Sequence, residues 1–207
     1  MGFKIRQPDG KQRDVVGEQQ SAYGYVRRQK WTAPDAAADD AIHAAITLLT
    51  TVQDISTNIT NPDFPRVPTI TGTKAGGSLT GNVVLTGTNI RDEVISETIA
   101  ITADTLVPGT KAFKTITNIR VPVRATSGDT VKVGMTDALG LDRCMNGNEV
   151  ILATIDGVYE STRPTVTFDV DEVEKNTVNP NTALDANVDL AVVFVSTEKT
   201  SSRKSTS

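Results

Sequence analysis

The sequence predicts a mainly β protein: an antiparallel β-sandwich or jelly-roll-like domain preceded by an extended N-terminal arm and one α-helix. Three observations carry that expectation. From Gly81 to Val121 the chain is Thr-rich and β-branched, with Val83 and Leu85, then Ile95, Glu97, Ile99 and Ile101 set opposite Val94, Ser96 and Thr98. Such alternation fits a pleated, half-buried surface. Turn signals recur at Gly76-Gly77, Pro108-Gly109, Ser127-Gly128-Asp129, Asn146-Gly147, Asp156-Gly157 and Asn179-Pro180, with no helical periodicity between them. Upstream of Asn61 the pattern changes, first polar and aperiodic, then Ala-rich.

Residues 1–31 read as an extended docking arm. Gly, Gln, Asp and Arg are scattered through it, yet it holds Phe3, Tyr23, Tyr25 and Trp31, four of only nine aromatic residues in the chain. Disordered segments are poor in aromatics, whereas interfaces use large rings as anchors. The expectation is an arm that orders on a partner, with Phe3, Tyr23, Tyr25, Arg27, Arg28 and Trp31 as docking candidates. Charge agrees with this. Residues 1–31 carry seven Lys or Arg against three acids and residues 198–207 carry three against one, although the whole chain has a net charge of −4. A basic arm on an acidic body is the pattern of a chain whose ends dock elsewhere.

Residues 32–60 predict the helix. Thr32 is a suitable N-cap, Pro34 suits the first turn, and Asp35, Asp39 and Asp40 place negative charge where the helix dipole favours it. The Ala-rich run from Ala36 to Leu49 then has high helix propensity, which predicts a helix over about 34–55. Ala38, Ile42, Ala45, Leu49 and Val52 fall on a heptad seam with Ile46 and Ile55 beside it. Such a seam packs on symmetry mates, with a homotrimer favoured, or on the chain's own β domain. Ile42, Ala45, Ile46, Leu49 and Val52 are the candidate oligomer contacts.

Asn61-Pro-Asp-Phe-Pro-Arg-Val-Pro68 ends the helix and forces an extended connector, because a residue before proline avoids the helical region. Residues 61–68 are therefore the expected domain boundary. Strands are expected at about 69–73, 80–88, 93–103, 113–121, 130–134, 149–155, 164–174 and 188–197, which makes 69–197 the β domain. The tail 198–207 is polar and has nothing to bury.

Candidate chemistry is sparse. Cys144 is the only cysteine, which excludes an intramolecular disulfide and fits a semi-buried thiol in a reducing compartment. His43 is the only histidine and has no ligand-type partner at i+3 or i+4, so it reads as structural. No Gly-x-Ser-x-Gly, phosphate-cradling loop or His-Glu-x-x-His element is present. No apolar run approaches the length of a membrane span, and the first residues lack the apolar core of a signal peptide. The expectation is a non-enzymatic protein with no cofactor, no membrane contact and no specific nucleic-acid site.

The acidic run Phe168-Asp-Val-Asp-Glu-Val-Glu174 is the one metal candidate, through Asp169, Asp171 and Glu174. Its alternation reads better as a strand with a charged outer face that discourages edge pairing. Asp137, Asp142 and Asn146 would ring a loop, but at no recognised ligand spacing. Tyr159 and Phe168 are too few to make a carbohydrate-binding cleft.

Leu85-Thr-Gly-Thr-Asn89, Glu97-Thr-Ile-Ala-Ile101 and Phe113-Lys-Thr-Ile-Thr117 resemble a pattern common in virion structural proteins of tailed bacteriophages. Asn61-Pro-Asp-Phe-Pro-Arg66 and Ser127-Gly-Asp-Thr-Val-Lys-Val-Gly134 look like parts of the same pattern, which covers about residues 61–142. The resemblance implies a non-enzymatic protein that assembles in the host cytoplasm and resides in the virion. Its partner would be the major capsid protein or another virion protein. A capsid-associated decoration or head-fibre-like protein, anchored by the arm, is the first expectation. A neck or tail ring or tube subunit is the second, and a carbohydrate-binding module of the particle the third.

Overall fold

The computed structural model describes residues 3–6, 12–15, 19–21 and 24–196, with side chains from Gly24 onward. Among these residues the elements are strands plus a single 3₁₀ turn. Upstream of the connector lie β1 (Phe3–Arg6), β2 (Gln12–Val15), β3 (Gln19–Ser21), β4 (Gly24–Trp31), β5 (Ala38–Thr47) and β6 (Gln53–Ile55). Next come β7 (Arg66–Thr73), β8 (Asn82–Thr88), β9 (Val94–Ala100), β10 (Leu106–Pro108), β11 (Thr115–Val121) and β12 (Thr130–Gly140). The last are β13 (Val150–Ile155), β14 (Val158–Tyr159), β15 (Thr165–Thr167), the 3₁₀ turn (Val173–Lys175), β16 (Thr177–Asn179) and β17 (Leu190–Ser196).

The mainly β, antiparallel expectation holds. One sheet runs β10-β7-β12-β16-β15, with β5 also on β12; a second runs β6-β11-β8-β9; a third runs β14-β13-β17-β4-β3; and β1 pairs with β2. Ile70, Val131 and Val133 from the first sheet meet Val83, Leu85, Ile99, Ile116 and Ile119 from the second in one aliphatic core, a sandwich closed around Phe113. A second core joins Leu190, Val192 and Phe194 on β17 to Trp31, Val150, Ala153, Val178 and Leu139. The strand β12 serves both, because its residues before Thr136 face the first core and Leu139 faces the second.

Each expected strand has a counterpart, but the one at 164–174 shrinks to Thr165–Thr167. The acidic run after it is loop and 3₁₀ turn rather than a charged strand face. Asp169 Oδ1 accepts the N–H groups of Asp171 at 2.8 Å and Glu172 at 2.9 Å, so local side-chain capping bends the chain out of the sheet.

The helix expected over 34–55 is replaced by β5, a bend and β6. Ile42 and Ile46 are buried and four residues apart, a spacing that serves a helix face and a strand face equally. Leu48 is buried too, two residues on, whereas Ala45, Leu49 and Val52 are exposed. The step from Ile46 to Leu48 is the two-residue period of a strand, and the exposed Ala44 falls where the pairing with β12 shifts register. Pairing β5 with β12, Ile46 opposite Val131, places Ile42 and Ile46 in the sandwich core, and this tertiary gain outweighs the helix propensity of the alanines. The coiled-coil basis for a trimer disappears with the helix.

Two boundaries move as well. Gly24–Trp31 belongs to the body as β4, so an arm ends before residue 24. Residues 61–68 divide nothing, since Ile42 and Ile46 upstream share a core with Ile70 downstream, and Arg66 to Pro68 already lie in β7.

The Leu85–Asn89 motif also acts differently from a simple turn. Gly87 sits inside β8 where β11 bulges at Thr117, and a Cβ there would lie 1.9 Å from the Thr115 carbonyl oxygen. Thr88 Oγ1 and Thr115 Oγ1 are 2.7 Å apart across the same pair. Asn89 makes the turn: its Oδ1 accepts the N–H groups of Arg91 and Glu93 at 2.9 and 3.1 Å.

Candidate docking face

Strand β4 determines where the expected docking residues sit. Alternation sends Tyr25, Arg27, Gln29 and Trp31 to one face and Val26, Arg28 and Lys30 to the other. The first face points into the molecule. Trp31 is 2% exposed in the second core. Gln29 Nε2 donates to the Gly140 carbonyl at 3.1 Å, and its Oε1 accepts the Asp142 N–H at 3.0 Å. Arg27 Nη2 forms a 2.8 Å ion pair with Asp142 Oδ2. These three side chains anchor β4 to the end of β12, so Trp31 and Arg27 are structural rather than partner-facing.

The outward face is different. Arg28 and Lys30 are exposed and border a hollow of about 350 Å³ that Thr154, Asp156 and Asp189 also line. Lys30 Nζ lies 2.5 Å from Asp189 Oδ2, and this contact first, with the Ala33 N–H at 3.1 Å, holds the Asp189 carboxyl below its ordinary pKa. Along the sheet, Arg28 stands opposite Val193, Val193 opposite Leu152, and Thr154 opposite Tyr159. Val158 and Tyr159 are 71% and 70% exposed. A strip with a cation at one side and a solvated tyrosine at the other has the residue types that protein interfaces use as anchors.

Both terminal segments attach to this sheet: Ser196 at the end of β17 pairs with Tyr25 on β4, and β3 folds back along β4 with Gln19 opposite Val26. Residues 1–23 and 197–207 together hold seven Lys or Arg against four acids, whereas residues 24–196 hold fourteen against twenty-one. Phe3 is on β1 opposite Val15, but its side chain, like Tyr23 and the polar tail, lies outside the described residues.

The remaining candidates do not converge. Ile42 and Ile46 are core; Ala45 is on the exposed side of β5; Leu49 and Val52 lie beyond that strand, 48% and 45% exposed. His43 Nδ1 lies 2.7 Å from the carbonyl oxygen of Ala44, and Cys144 is buried in the loop after β12, so the two share no element. Asp142 pairs with Arg27, while Asp137 accepts the Ala37 and Leu184 N–H groups. The carboxylates of Glu172 and Glu174 take Lys111 Nζ at 2.9 and 3.2 Å, and Glu172 also pairs with Lys175. No group of three metal-ligating side chains occurs among the described residues, nor any helix long and apolar enough to cross a membrane.

Sequence reasoning missed the polar groups that hold the site's scaffold. Asn176 is fully buried: its Oδ1 accepts the Met145 and Asp169 N–H groups at 2.9 and 3.1 Å, and its Nδ2 donates to the Asp169 and Glu172 carbonyls at 2.8 and 2.9 Å. Arg66 is fully buried as well, with Nη2 donating to the Asp35 carbonyl at 2.5 Å and Nε 3.1 Å from Asp63. Burial pulls its pKa down, while the charges of Asp63, Asp137 and Asp35 oppose that shift. Only the Asn-x-Arg turn at Asn89 had a local signal. No protein-family model matches this chain, and no curated protein or solved structure matches it.

Proposed function

We propose that this chain is a non-enzymatic structural protein of a tailed-phage particle, a capsid-associated decoration or head-fibre-like protein. It docks through its terminal segments and the adjoining outer face of the β14-β13-β17-β4-β3 sheet. The observation that carries this reading is the contrast between two basic terminal segments, attached to one sheet through β3 and β17, and an acidic β body. Terminal segments attached to one sheet make one attachment region, and basic charge there steers it onto an acidic lattice. The phage resemblance over residues 61–142 supports the same assignment, with Gly87 and Asn89 shaping the strands and turn of its central motif.

Quantitative mass spectrometry of purified particles tests it. The expected result is this chain at one copy per lattice position; its absence from the particles overturns the proposal. Removing residues 2–18 should abolish particle association and leave the β14-β13-β17-β4-β3 sheet intact, whereas a cut into β4 would also remove Trp31 from the second core. One observation favours the neck or tail reading instead: β6 and β9 each end their sheet, which would allow the sheet to continue into a neighbour. A copy number set by ring symmetry would select that reading.

A further inference from the structure

β5 and β16 lie on the same side of β12, pairing with residues up to Met135 and from Leu139 respectively, and leave a gap between them. Along this gap β12 bulges against β7, where Met135 stands opposite Pro68 and Leu139 opposite Arg66. A cleft of about 290 Å³ lies there. Its wall includes Ala38, Leu106 and Met135, and its polar groups include Thr69, Asp39 and Asp137.

Thr69 distinguishes this cleft from an ordinary surface dent. The residue is 1% exposed and its Oγ1 is buried with no hydrogen-bond partner. A buried hydroxyl left unpaired is costly, so a built position for one asks for a ligand group. The carboxylates decide the sign of that group. Asp39 Oδ2 lies 3.2 Å from Lys132 Nζ, while Asp137, whose charge also acts on the buried Arg66, accepts one backbone N–H on each oxygen, from Ala37 at 3.0 Å and Leu184 at 3.4 Å. Each Asp137 oxygen keeps a second lone pair. The cleft wall carries both carboxylates and neither Lys132 nor Arg66, so it disfavours an anion and presents spare acceptors.

We propose that this cleft binds a primary ammonium on a short aliphatic stem, with Thr69 Oγ1 and Asp137 accepting from the ammonium while Leu106 and Met135 cover the methylenes. That chemistry has two sources, a lysine side chain presented by another polypeptide or a free alkyl diamine. The proposal is independent of the phage reading.

The test is a titration of the full-length ¹⁵N-labelled protein followed by its amide resonances. The probes are 1,5-diaminopentane, Nα-acetyl-lysine methylamide and, as a neutral control, 1-pentanol. Saturable shifts at Thr69, Leu106, Met135 and Asn179 are expected with the amines and not with pentanol. Saturation by the lysine derivative assigns the site to a protein side chain, and saturation by the diamine alone assigns it to the free amine. Thr69→Val keeps the shape and removes the hydroxyl. It should weaken amine binding about tenfold or more, since a bond to a charged group is lost, and should raise the melting temperature of the free protein, since no buried hydroxyl is then orphaned. No saturable shift, equal shifts with pentanol, or unchanged binding by Thr69→Val would overturn the proposal.

Discussion

The two cores that β12 joins are built on opposite plans. Among the described residues the first holds seventeen buried hydrophobic side chains, aliphatic or thioether except for Phe113, drawn from the strands and loops between β5 and β12. The second holds eleven, among them Trp31 and Phe194, and depends on pairing Trp31 with Leu190, from opposite ends of the chain. Many small aliphatic residues on neighbouring strands make a core whose members are replaceable one at a time. A few large residues brought together across a long loop make one in which each is critical. The molecule concentrates aromatic volume where closure is least local.

The sharpest way to break that contrast is Trp31→Ala. Loss of a fully buried tryptophan should cost about 3–5 kcal/mol, measured as a lower urea midpoint by far-ultraviolet circular dichroism. Since Trp31 is the only tryptophan, its fluorescence in the unaltered protein reports the second core alone. The shared β12 makes the two regions cooperative, so fluorescence and dichroism should give one coincident transition. A fluorescence midpoint below the dichroism midpoint would show that the cores melt separately.

Next in size is a pair that separates strand from helix in β5. Ile46→Ala should cost about 2–5 kcal/mol, because Ile46 is buried opposite Val131. Leu49→Ala should fall within about 0.5 kcal/mol of no change, because Leu49 is half exposed. On the heptad seam the sequence suggested, Leu49 is a seam position and both losses would be large. Comparable losses would restore the helix.

What the sequence showed follows the same division. Strands with neighbours close in the chain, such as β8 with β9, display their alternation locally, and their expected bounds nearly match the observed ones. The sequence of β4 reads as an arm because the partner along its whole length, residues 190–196, lies far downstream. β5 was read as a helix because two isoleucines four apart fit both periods and the alanines around them favoured the wrong one. The buried groups Thr69 and Arg66 had no local signature, and Asp137 acquires its partners from Ala37 and Leu184, tens of residues away on either side.

Smaller losses test the close approaches within the first core. Gly87→Ala places a methyl 1.9 Å from the Thr115 carbonyl, and Gly134→Ala one 2.1 Å from the Ala38 carbonyl. Neither neighbour is the end of a flexible side chain, so strand separation must give. Each change should cost about 1–3 kcal/mol. Their amide-exchange signatures should differ: Gly87→Ala loosens β8 from β11, and Gly134→Ala loosens β5 from β12. Protection unchanged across those pairs would count against the bulge geometry.

The finest distinction between the regions is in acid. In the first, Asp129 is buried and accepts the Ala75, Thr126 and Ala125 N–H groups at 2.9, 2.7 and 3.0 Å, which holds its carboxyl below its ordinary pKa of 3.8. In the second, Asp169 is held down by the Glu172 and Asp171 N–H groups, with less help from nearby lysines. A carboxyl depressed in the folded state contributes stability that is complete above its unfolded value. That stability is lost as the pH falls through the folded value, because the unfolded chain takes up the proton first. Both regions should therefore weaken below about pH 4. Asp129 has three donors to satisfy against two for Asp169, so Asp129→Asn should lower stability at neutral pH and flatten the acid slope more than Asp169→Asn does. Urea midpoints of the three proteins at neutral and acid pH decide this; a larger change in slope for Asp169→Asn would reverse the assignment of the acid-sensitive loop.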